Sequence, residues 1–257
     1  MNETENVGSL DVFDYIGNSI KKLSDAIYGF AKWYQNIMPL LDRYIQIFAN
    51  IGKIFSTIDL LIDNQIVFTD DLTAELINEL YNSNNVESVI QDYYFSDNDN
   101  KMKALILRCQ NAEIIQNYNQ LYTQTIAAYE MGFYQLSCAG LLTILDGILS
   151  DITIIDTNYK KRFACIEEKI NNNVKLEDID IKFLCVYKSI DSFDMSILSN
   201  SKLSNNEPTM LNRHWILHGR THRPYSRMDV LKVLLWIDAM IYIDKECSDK
   251  QNTQEGI

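Results

Sequence analysis

The chain has 257 residues, enough for one large domain or two small ones, with 47% hydrophobic and 23% charged residues, values ordinary for a folded protein. Its formal net charge of −12 weighs against a surface that binds nucleic acid everywhere, because a phosphate backbone is held by Lys and Arg. With 3 Pro, 9 Gly and no long strict alternation of apolar and polar residues, the expected fold class is all-α.

In chain order, a first helix is predicted over roughly Leu10 to Tyr34, with Phe13, Ile16, Ile20, Leu23, Ile27 and Phe30 at spacings of three and four. A second is predicted to start near Pro39, a residue suited to a first helical turn. It continues through Tyr44, Ile47, Phe48, Ile51, Ile54, Phe55, Ile58 and Leu61. Its wide apolar face calls for a partner helix or a second protomer. Both charge signs on its polar face argue against a membrane-surface helix. Asp42, Arg43, Lys53, Asp59 and Asp63 interrupt the apolar region between Ile37 and Phe68, so stable membrane insertion is not expected. Thr69 is read as the N-cap of a third helix, and a short fourth reaches Phe95.

The run Ser96-Asp-Asn-Asp-Asn100 is the best linker candidate. Beyond it, one helix is predicted over Lys101–Glu130, stopped by Gly132. Its successor, Phe133 to Ile152, carries Gly140 and Gly147, which would admit a close neighbour. Helices near Asn158–Ile170 and Asp178–Ile190 precede a polar loop from Ser199 to Glu207. Ser226 with Asp229 three residues on opens a final apolar helix. This gives an N-terminal helical region at 1–96 for dimerisation or partner binding, a helical domain at 97–246 and a disordered tail at 247–257.

The five cysteines (Cys109, Cys138, Cys165, Cys185, Cys247) are odd in number, far apart and without a C-x-x-C pair. They point to neither a zinc site nor a disulfide framework, and they fit a reduced, cytoplasmic setting. The first ten residues are polar and acidic, unlike a secretory leader. No metal and no cofactor is expected.

Charge is unevenly distributed. Residues 202–232 hold six basic residues (Lys202, Arg213, Arg220, Arg223, Arg227, Lys232) against Glu207 and Asp229, a local +4. All three histidines, His214, His218 and His222, lie in the same stretch. Arg213 and His218 are five residues apart, about 140° around a helix, whereas His214 and His218 share a face. Gly219 is a natural residue to follow a helix end, which puts His218 in the last turn, where the helix dipole favours imidazolium. A histidine near neutrality beside a permanent guanidinium suits RNA cleavage. The imidazole takes the proton of a ribose 2′-hydroxyl or protonates the 5′-oxygen leaving group, and the arginine stabilises the phosphate as charge builds. The spacing alone fits equally a helix-end histidine satisfying free carbonyls and an arginine in a salt bridge.

The segment Asn212-Arg-His-Trp-Ile-Leu-His-Gly-Arg220, followed by a loop and a Leu-rich helix, resembles the terminal motif of HEPN domains: Arg, a polar residue, three variable residues, then His. Residues 127–149, with Gly132-Phe-Tyr134 leading to Asp146-Gly-Ile-Leu149, resemble the family's upstream helical pair. The family's acid there is glutamate, and the shorter arm of Asp146 argues against direct contact with the site. The likeness covers roughly residues 100–245. It implies an antiparallel helical bundle that dimerises, so that two motifs form one composite, metal-independent endoribonuclease site. It further implies a toxin or antiviral-defence effector, with an antitoxin or regulatory partner as a possible companion. On this reading Arg213, His218 and His214 are catalytic, Arg220, Arg223 and His222 face RNA, and Asn212 and Asp146 support the site. The competing expectation is a non-catalytic helical binding or scaffold protein.

Overall fold

The computed structural model describes residues 9–69, 71–155, 158–174, 180–192, 197–198 and 206–255. Every regular element among them is helical, so the expected all-α bundle stands. Lys202 and the loop at 199–205 lie outside the described residues.

The chain divides into two units, Met1–Gly52 and Lys53–Ile257. The first unit is occupied by helix α1, Ser9–Asp63, whose last turns belong to the second. The break expected at Pro39 does not occur, and α1 runs through it. An interior proline removes one backbone hydrogen bond but leaves the rest of the ladder. Within this unit Ile20, Leu23, Ile27, Phe30 and Phe48 are all well exposed.

The second unit begins at Lys53 rather than at the expected 97, because the residues between are core. Leu76 and Leu80 on α2 (Ala74–Asn82) and Ile90 and Tyr94 on α3 (Val86–Phe95) are buried in the same cluster as the later helices. α2 is capped by Thr73, whose Oγ1 accepts from the Leu76 N–H at 3.3 Å, not by Thr69. The predicted linker folds as a tight turn, with Asp97, Asn98 and Asp99 all at positive φ. Such residues tolerate left-handed backbone because their short polar side chains bond locally.

The helix predicted over Lys101–Glu130 is two: α4 (Asn100–Asn111) and α5 (Asn119–Glu130), separated by extended Ala112 and a 3-10 stretch, Glu113–Tyr118. α6 (Tyr134–Thr153) follows after a turn at Gly132, φ +80°. The two α6 glycines do admit neighbours: Gly140 faces Thr125, and a Cβ at Gly147 would lie 2.5 Å from the Tyr118 ring. The Tyr118 hydroxyl donates to Asp151 at 2.7 Å. α7 is Tyr159–Asn173 and α8 is Ile181–Asp191.

α9 is the short Arg213–Leu217, and α10 is Arg227–Glu255. Val230, Leu231 and the run from Val233 to Ile237 are all buried, so α10 is covered on every side near its start. It packs on α6, α4, α7 and α8. Ser226 and Asp229 form the expected reciprocal cap: the Ser226 N–H donates to Asp229 at 2.7 Å and the Asp229 N–H to Ser226 Oγ at 3.3 Å. The tail expected to be disordered from 247 is helical to Glu255, and Cys247 is buried. By length and composition alone, Asn18–Asp63 and Tyr134–Thr153 would each suffice to cross a membrane, although α6 is largely core.

Gly147→Ala forces a methyl into the Tyr118 ring, and overpacking of this kind costs about 1–3 kcal/mol. Denaturant unfolding is expected to show that loss, and the double variant Gly147→Ala/Tyr118→Ala to recover part of it. An unchanged midpoint would mean that the ring moves aside freely.

Candidate functional site

α9 is held at both ends by its own sequence. The Asn212 Oδ1 accepts from the Trp215 N–H at 3.2 Å, so this residue is the helix cap. The Arg213 N–H donates to the Ile197 carbonyl at 2.8 Å. Trp215 and Ile216 are buried and anchor the short helix to the core. At the other end Gly219 adopts φ +65°, its N–H reaching the Ile216 carbonyl (3.0 Å) while the Arg220 N–H reaches that of Trp215 (2.9 Å). These are the two bonds of a Schellman stop. His218 is therefore the last residue of the turn, as expected.

The Arg213 side chain turns to α6 and α7. Its guanidinium pairs with Asp146 and lies over the Tyr159 ring, 5.6 Å from the centroid. The direct contact that the short aspartate arm argued against is present. α6 presents Asp146 on the side that α9 and α7 approach, so one methylene fewer is enough. The same carboxylate accepts from the Tyr159 hydroxyl and from Arg162 Nη1 at 3.4 Å. Arg162 is buried, with its Nε donating to the Ile155 carbonyl (2.7 Å) and Nη2 to Ser150 Oγ (2.6 Å). Burial, then the hydrogen bond to Asp146, pushes the Tyr159 hydroxyl well above its ordinary pKa, so it stays protonated.

His214 and His218 meet edge to face, with ring centroids 4.5 Å apart. His214 is half-buried and His218 exposed. Burial, the neighbouring His218 and the Arg213 charge hold His214 below 6.5. A second imidazole so close disfavours a proton on His214.

The basic stretch is less open than its composition suggests. Arg223 forms a two-pronged pair with Asp229 at 2.8 and 3.1 Å and packs at Tyr225, so it is a strut of the α10 cap. Arg227 is taken by Asp99 and Lys232 by Glu87. Arg220 is exposed and stacks on Trp215, 5.2 Å from the ring centroid. His222 is exposed, its N–H donating to Glu207 at 2.8 Å. His222 and Arg223 line one wall of a groove of about 450 Å³ whose other wall is Gly132–Leu136.

The structure thus pairs Arg213 with Asp146 at the start of α9, behind the Asn212 cap, and brings His214 against His218 at its end. Arg223 is paired instead with Asp229. Tyr159 and Arg162 join the cluster without having been singled out in the sequence. The only available signal was Arg162 at three residues from Tyr159 on a predicted helix. Among the described residues no group of three or more His, Cys, Asp or Glu is arranged to hold a metal ion. Compared with protein-family models, curated proteins and solved structures, the chain matches none.

Two outcomes are expected. Asp146→Ala strips the buried Arg162 of its carboxylate and is expected to cost about 3 kcal/mol of unfolding free energy. A loss below about 1 kcal/mol would mean that Ser150 and the Ile155 carbonyl suffice. By proton NMR, His214 is expected to titrate below 6.5, and His218→Ala to raise its value. Because the folded value is depressed, this group lowers stability as pH falls from 6.5 through that value, and His214→Gln is expected to remove the effect.

Proposed function

We propose that the chain is a metal-independent endoribonuclease of the HEPN type, acting as a toxin or defence effector. The observation that carries this reading is the coupled His214–His218 pair beside an arginine fixed in place. A cleavage of this kind needs one base and one acid at the same pH. His214, held below its ordinary value, suits the base, and His218 against it is placed for the acid. His214, neutral, takes the proton of the 2′-hydroxyl. The 2′-oxygen forms its bond to phosphorus as the bond to the 5′-oxygen breaks, and His218 as imidazolium protonates that oxygen. The products are a 2′,3′-cyclic phosphate and a 5′-hydroxyl. Arg213 stabilises the charge on the phosphoryl oxygens, and Asp146 with Tyr159 holds its guanidinium. Arg220 and His222, exposed nearby, serve the RNA strand.

A second reading, a non-catalytic helical binding protein in which the same region is scaffold, is favoured by one observation. Arg213 is already paired with Asp146, and three other cations of the basic stretch are paired with carboxylates.

The test is cleavage of a mixed RNA pool by the full chain in EDTA. Products ending in a 2′,3′-cyclic phosphate are expected. Removing a general acid or base costs about 10²–10⁴-fold, so His218→Ala and His214→Ala are each expected to lose at least 100-fold. Activity that needs Mg²⁺, or that survives both substitutions, would sink the proposal. No cleavage of any RNA, with harmless expression in cells, would favour the binding protein.

A further inference from the structure

We propose that α1 pairs with the α1 of a second copy of this chain, parallel and in register, as a coiled coil. This does not depend on the ribonuclease reading, and pairing without cleavage or cleavage without pairing would be told apart below.

With Ile20 as a heptad a position and Leu23 as d, every a and d position from Ile20 to Ile62 is aliphatic or aromatic. The steps of three and four alternate without interruption for six heptads. The pattern's period, 3.5, differs from the helix's own 3.6 by about 20° per heptad, so over six heptads the stripe winds about 120° around a straight helix. A flat surface cannot follow such a stripe. A second helix wrapping with it can, and a sustained 3.5 period is the mark of that packing.

The charges agree. All seven charged residues between 18 and 56, from Lys21 to Lys53, fall at b, c or f. Pro39 is also at f, the position farthest from the seam, and Gly29 is at c. These residues weaken a solitary helix, and around them the seam residues Ile20, Ile27 and Phe30 are 62–64% exposed. Farther along the same register, where a core is present, Ile58 is fully buried and Ile62 is 9% exposed. The buried residues of this register lie in the second unit and the exposed ones in the first.

Charged flanking residues select a different partner in coiled coils, and between Ile20 and Ile54 the flanks carry none. In a parallel, in-register pair each g residue meets the following e residue of the other copy. Ser19 then meets Ser24, Ala26 meets Ala31, and Trp33 meets Met38, polar with polar and apolar with apolar. Self-pairing brings no like charges together.

The test uses the full chain at micromolar concentration. Light scattering is expected to give twice 29.8 kDa, and Ile27→Asp/Phe30→Asp to return the single mass while cooperative melting of the compact unit persists. Under mild oxidation Ile27→Cys is expected to cross-link into a dimer, whereas Lys32→Cys, at f, and the unmodified chain do not. This comparison stands even if the double aspartate variant fails to fold. A wild-type mass other than twice 29.8 kDa, or equal cross-linking at 27 and 32, overturns the proposal. So does a monomer in buffer that floats with vesicles of phosphatidylcholine and phosphatidylglycerol, which would assign the face to lipid. RNA cleavage by a monomer would overturn the pairing alone, and a dimer without cleavage would leave it intact.

Discussion

One carboxylate ties three helices together. Asp146, on α6, takes the Arg213 guanidinium from α9 and the Tyr159 hydroxyl and Arg162 from α7. α9 has only five residues and cannot hold a position by its own hydrogen bonds, since helix formation repays its cost only over longer stretches. Its placement is borrowed: buried Trp215 and Ile216 below, the Ile197 carbonyl and Asn212 cap at its start, and the Asp146 pair at its side. Removing the pair would free the arginine and leave the buried Arg162 short of its counter-ion. The histidines sit on the same helix, so their relation to the rest of the molecule depends on the same carboxylate.

The cations of the 202–232 stretch show a division of labour. Three of them, Arg223, Arg227 and Lys232, are spent on fastening the start of α10, through Asp229, Asp99 and Glu87. In Asp229, burial pushes the carboxyl up, but Arg223 and the Ser226 N–H overcome this and hold it below its ordinary range. This is a structural clasp around a helix buried on all sides. What looked in the sequence like one basic patch is thus mostly the anchoring of the central helix, with Arg220 left stacked and exposed on Trp215.

The helical class, the α6 glycines, the Ser226–Asp229 cap and the Gly219 stop were legible because each depends on neighbours within a few residues. Periodicity, turn chemistry and capping are local. The partition of the basic stretch was not legible, because Asp99, Glu87 and Asp146 lie far away in sequence. The same holds for Tyr159 and Arg162. The break at Ala112 and the unbroken passage through Pro39 went the other way, with tertiary packing and a continuing apolar register overriding what the local residues favour. The contact between Asp146 and Arg213 was missed because arm length was weighed without knowing how closely α9 approaches α6.

The local charge balance gives the site its character. Around Asp146 two guanidiniums share one carboxylate, so the cluster keeps one net positive charge. Arg162 is buried and also bound by Ser150 and the Ile155 carbonyl, and Arg213 is the more accessible of the two. The Arg213 charge acts on His214 and adds to the burial and the His218 neighbour that lower its proton affinity. An approaching phosphate would meet a cation that is oriented but not fully neutralised, next to an imidazole that prefers to be a base. A chain of net charge −12 would repel such a ligand at long range, yet within a Debye length of about 8 Å the local sign governs. The same carboxylate therefore positions the arginine and sets how much of its charge remains to act.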